Sequence, residues 1–64
     1  MTLSWLFGIA EDNQKLYITA PDGSRHVGYW YYDHMLDIMC KYKAHKVDVT
    51  VDTPEMLVAR VRRF

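Results

Sequence analysis

A chain of 64 residues makes one small domain, which buries only about 60% of the surface its unfolded form exposes and has little room for a deep pocket. Half of its residues are apolar, and two Trp, five Tyr and two Phe supply a core, which excludes a disordered chain. Eight Lys plus Arg balance eight Asp plus Glu, so no overall field draws the protein to nucleic acid or to an anionic membrane, and any such attraction must be local.

Residues 2–10 alternate, with Leu3, Trp5, Phe7 and Ile9 on one side, Thr2, Ser4, Gly8 and Ala10 on the other, and Leu6 out of pattern. This predicts a strand with a large apolar face. After the polar turn Glu11-Asp12-Asn13-Gln14, Lys15 to Ala20 alternates again, and pairing Ile9 with Leu16 and Phe7 with Ile18 keeps pattern and register in agreement. Pro21-Asp22-Gly23-Ser24 carries the Asp-Gly pair of a hairpin turn. Placing Ala20 opposite Arg25 predicts a third strand to about Tyr31, with Ile18 against Val27 and Leu16 against Tyr29.

From about Tyr32 the period becomes helical, with Met35, Leu36 and Met39 as a stripe over a helix at about 32–45. Asp33 near its start and Lys41, Lys43, His45 and Lys46 near its end complement the helix dipole. Lys46 to Asp52 alternates without exception, with Val47, Val49 and Val51 on one side. The last segment reads two ways. Thr53, Pro54 and Glu55 are good helix-start residues, yet Leu57, Ala59 and Val61 alternate with Val58, Arg60 and Arg62. The hairpin is preferred because it sets Asp48 against Arg60 and Val49 and Val47 against Ala59 and Val61. The expected fold is therefore α+β, a single domain over 1–64 with an antiparallel three-stranded meander, one helix packed on it, and a C-terminal strand pair, a C-terminal helix being the alternative.

No catalytic constellation is evident. Cys40, the only cysteine, sits mid-helix without an activating group and reads as a buried or half-buried core residue; its solitude excludes an intrachain disulfide and favours a reducing, cytoplasmic compartment. His34, Asp37 and Cys40 recur every three residues, but no Cys-x-x-Cys or His-x-x-x-His pair supports a metal site. Nor is there a phosphate-binding glycine loop, and no cofactor is expected. The apolar run Trp5–Ala10 has no basic flank and is too short for a signal core, and nothing is long enough to span a bilayer.

The informative surface is the second face of the expected meander. Tyr17 would lie there between Gly8 and Gly28, with Leu6, His26 and Trp30 around it, as an aromatic platform or simply as cover for strand glycines. From Met1 to Phe64 the chain reads as a complete small protein. The expected function is that of a macromolecule-binding protein without catalytic activity: a phage- or plasmid-encoded inhibitor or modulator of a host protein, or a nucleic-acid-binding accessory protein using Lys41, Lys43, Lys46 and Arg60, Arg62, Arg63. The partner-binding residues expected are Tyr17, Trp30, Leu6, His26, Arg60 and Arg62. The extra burial that so small a core needs makes a homodimer a further expectation.

Overall fold

A computed structural model describes residues 1–63; Phe64, which follows Arg62 and Arg63 in the sequence, lies outside them. The first element departs from the expected strand, because Leu3–Ile9 form a helix, α1. The segment satisfies two periods at once: Leu3, Leu6 and Phe7 also stand at the i, i+3, i+4 spacing of one helix face. Those three are buried, while Trp5 and Ile9, apolar members of the alternation, are exposed. Thr2 caps the helix through its hydroxyl, which accepts from the Trp5 amide at 3.3 Å. The amides of Leu3 and Ser4, which a first helical turn leaves without partners, donate to the carbonyls of His45 and Lys43.

β1 (Lys15–Thr19) and β2 (Arg25–Gly28) form an antiparallel hairpin. Its register differs by one residue from the expected one: Leu16 faces Gly28 and Ile18 faces His26. The turn explains the difference. Gly23 donates to the Ala20 carbonyl and Ala20 to the Ser24 carbonyl, with Gly23 at φ 88°, so the loop has three residues and ends on a left-handed glycine. A shift of one residue exchanges the faces of a strand, which brings Val27 to the side of Tyr17 and His26 to the side of Ile18.

α2 (Asp33–Tyr42) lies within the expected helix. Met35 is fully buried, Ile38, Met39 and Tyr42 pack beside it, and Leu36, expected inside, is half-buried. Cys40 is exposed, which corrects its reading as a core residue.

β3 (Val47–Asp52) and β4 (Met56–Val61) form the C-terminal hairpin, with Val47 opposite Val61, Asp48 opposite Arg60 and Val49 opposite Ala59, so the last segment is a strand rather than a helix. At Thr50 the ladder bulges, and beyond it Val51 faces Val58 and Asp52 faces Leu57. The bulge reverses the parity of the strand. Val51 therefore leaves the side of Val47 and Val49, which the uninterrupted alternation assigned to it.

The strand order is β2-β1-β4-β3, and β4 runs parallel to β1, Leu16 beside Leu57 and Ile18 beside Ala59. β4 thus occupies the place expected for a strand at 2–10. The α+β class stands, but the antiparallel meander becomes a mixed four-stranded sheet. Leu3, Leu6 and Phe7 of α1 and Met35 of α2 share one cluster with Leu16, Ile18, Val47, Leu57, Ala59 and Val61, so both helices cover the same side of the sheet. Among the described residues Gln14 is the buried polar side chain. Its amide nitrogen donates to the Asp52 carboxylate at 3.1 Å and to the Thr53 carbonyl at 2.8 Å, and its oxygen accepts from the Glu11 amide, which ties the α1–β1 loop to the β3–β4 turn. Among the described residues no helix is long and apolar enough to cross a membrane.

Candidate binding face

The side of the sheet away from the helices is built from the alternate strand positions. Register places Val27, Tyr17, Val58 and Val51 in one line across all four strands, β2 to β3. Tyr17 and Val58 are half-buried, and Val27 and Val51 are exposed at 43% and 36%. Two residues further along, a second line holds Arg25, Thr19, Arg60 and Asp48 in the same order. Arg62 has the parity of Arg60 and reaches across to Asp48, its Nε donating at 2.7 Å and its second nitrogen to the other carboxylate oxygen. This is the ion pair expected of Arg60, made instead by the next arginine on the same side. The Lys46 carbonyl extends the same ladder by accepting from the Arg62 amide, and Lys46 shares the parity of Asp48.

The electrostatics of this face follow from that arrangement. Lys15, Arg25, Lys46, Arg60 and Arg62 occupy its strand positions or their direct extensions, against Asp48. The hydrogen bonds from Arg62, and then the nearby charges of Arg62, Arg60 and the N-terminus, hold the Asp48 carboxyl below the usual carboxylate range. The face is therefore cationic although the chain is neutral overall. Lys15 Nζ lies 6.0 Å from the Tyr17 ring centroid, at the outer limit of a cation–π contact. A shallow groove of about 360 Å³ runs beside Tyr17, Arg25, Val27, Met56 and Val58. A second, of about 570 Å³, opens at the end of the β1–β4 pair, lined by Thr19, Pro21, Gly23, Arg60, Arg62 and Arg63.

Three of the expected partner-binding residues, Tyr17, Arg60 and Arg62, are brought together here, and three are not. Leu6 is fully buried in α1, because the segment is a helix and Leu6 is on its inner side. His26 lies on the helix side of β2 after the change of register, its ring nitrogen 2.9 Å from the Ser24 hydroxyl. Trp30 follows β2, packs against the core and donates its indole N–H to Asp12 at 3.0 Å. Gly8 is on α1 and Tyr17 is flanked by Val27 and Val58, so the expected cover of strand glycines does not occur. Of the two basic clusters, Lys46 joins Arg60, Arg62 and Arg63, whereas Lys41 and Lys43 sit at the end of α2 in the helix layer.

Val27, Val51 and Arg25 escaped notice in the sequence because their side depends on a turn length and a bulge. A second surface forms between β2 and α2, where Tyr29 stacks on Tyr31 with ring centroids 5.8 Å apart and Tyr32 meets both edge-on. Partial loss of solvent in this cluster, then Tyr32, Tyr29 and Asp12, raise the Tyr31 hydroxyl pKa above its usual value. Compared with known proteins, the chain matches no family model, no curated protein and no solved structure.

Proposed function

We propose that this chain is a non-catalytic binding protein that engages an anionic macromolecule through the open face of its sheet. The observation that carries the reading is the pair of lines across that face, an apolar one of Val27, Tyr17, Val58 and Val51 beside one that holds Arg25 and Arg60, with Thr19 between them and Asp48, paired to Arg62, at its end. Partly exposed apolar side chains framed by charge mark interaction sites on small domains. Arginine supplies planar, multidentate recognition of carboxylates and phosphates. The same charge argues against two copies pairing through this face, since a two-fold contact would press one cationic surface against another.

The test is retention of the full chain on immobilised heparin and on polyglutamate, with a salt gradient. Reversing Arg25 and Arg60 together to Glu should abolish retention, and reversing Lys41 and Lys43 to Glu, in the helix layer, should leave most of it. Equal loss from both double variants would assign the attraction to general charge. A second reading, a protein target held by Tyr29, Tyr31 and Tyr32, is favoured by their clustering at the surface, since exposed tyrosines are common binding anchors. It predicts that binding survives the reversal of Arg25 and Arg60.

A further inference from the structure

We infer that the anionic partner of the open face is a single strand of nucleic acid, laid across the four β-strands with its bases against Val27, Tyr17, Val58 and Val51 and its phosphates at Arg25 and Arg60. This rests on the reading of that face as the binding site and names the occupant. The geometry of the two lines decides between anions. They are two residues apart on β2, β1 and β4, roughly 6.6 Å, and three on β3 across the bulge; the apolar line runs the width of the sheet, about 14 Å, while the arginines of the other line stand on β2 and β4 with Thr19 between them. A nucleic-acid strand carries its bases on one side of its backbone and its charges on the other, so it presents an apolar track and an anionic track side by side. An extended acidic peptide alternates its side chains between opposite faces and presents one track at a time.

A duplex is disfavoured for a different reason. It hides its base faces in the stack and would use the arginines alone, leaving the apolar line exposed to the solvent it already meets. Tyr17, at the centre of the line, is the stacking residue, and the valines on either side give apolar contact without a preference for sequence. The groove lined by Arg60, Arg62 and Arg63 continues the cationic track past the end of the β1–β4 pair, so the backbone of the strand has a path off the sheet. Asp48 and Arg62 hold each other by two hydrogen bonds, so the pair neither opposes the track nor adds net charge to it.

The experiment is fluorescence anisotropy of the full chain with labelled oligothymidylate and oligouridylate of about twelve residues and with a duplex of equal length, at two salt concentrations. The single strands should bind more tightly than the duplex, and more weakly as salt rises. Tyr17→Ala should weaken single-strand binding about tenfold, Tyr17→Phe should retain it, and Arg60→Gln should reduce the slope of log affinity against log salt by about one. Thermal melts of each variant establish that the fold is kept. Duplex binding as tight as single-strand binding, or an unchanged affinity in a folded Tyr17→Ala, would overturn the inference. Retention on heparin and polyglutamate with no binding of either oligonucleotide would overturn it while leaving the proposed function in place. Failure to bind any of these polyanions would remove both.

Discussion

The two faces of this sheet are made from the same strands and differ in what they do with their apolar residues. On the helix side Leu16, Ile18, Leu57, Ala59 and Val61 are closed off almost completely by α1 and α2. On the open side Tyr17, Val27, Val51 and Val58 keep an apolar line that no described element covers, flanked by arginines. Strand alternation normally gives a buried apolar face and a solvated polar one. Here the second face is half apolar, and since none of its four central residues is needed to close the core, their chemistry is free to serve contact with something else.

The largest effect should come from the closed side. Leu57→Ala removes a residue exposed by 2% and should cost about 2–5 kcal/mol, enough to unfold much of a domain this size. Chemical denaturation measures it, and a loss below about 1 kcal/mol would show that the closed face is not closed. Gln14→Ala should cost about 1–3 kcal/mol, because it leaves a cavity and strips the Asp52 carboxylate and the Thr53 carbonyl of a buried donor. On the open side Val58→Thr keeps the branched shape and should change stability by about 1 kcal/mol or less. If Val58→Thr proves as costly as Leu57→Ala, the two faces are not distinct and the open one is structural.

The smallest effect concerns charge on the open face. The Asp48 carboxyl, held low by Arg62, should titrate below the ordinary carboxylate range by NMR, and Arg62→Ala should return it toward that range. Because the folded pKa is the lower one, the stabilisation is fully present above about pH 4, where an unfolded aspartate ionises, and is lost as pH falls through the folded value. An Asp48 titration unaffected by Arg62→Ala would mean that the pair does not persist in solution.

Local patterns in the sequence carried the β3–β4 hairpin and the place, though not the register, of the β1–β2 hairpin, and the long-range contacts decided the rest. The β3–β4 register was legible because Val47 and Val49 alternate beside a turn and because Asp48 needs a cation across the ladder. The Leu3–Ile9 helix was not, since those seven residues fit a period of two as well as they fit a helix. What selects the helix is the docking of its first amides onto the carbonyls of Lys43 and His45, which lie some forty residues away in the chain. The parallel contact between β1 and β4 leaves no local mark at all. Tyr17, Arg60 and Arg62 were recognisable as outward residues of alternating strands. That they stand beside one another depends on β1 and β4 being neighbours.

That neighbourhood also sets the order of events when the protein is made. β4, which follows the other described strands in chain order, is one of the two inner strands of the sheet and supplies Leu57, Ala59 and Val61 to the interior. Until residues 56–61 have been synthesised, β1 and β3 each lack their inner neighbour, and α1 and α2 have only half a surface on which to rest. The sheet cannot grow strand by strand from the N-terminus, and its decisive closure joins sequence-distant segments, a slow step for so short a chain. A product cut short before Met56 would therefore be an aggregation-prone pair of unmatched strand edges rather than a smaller version of the domain.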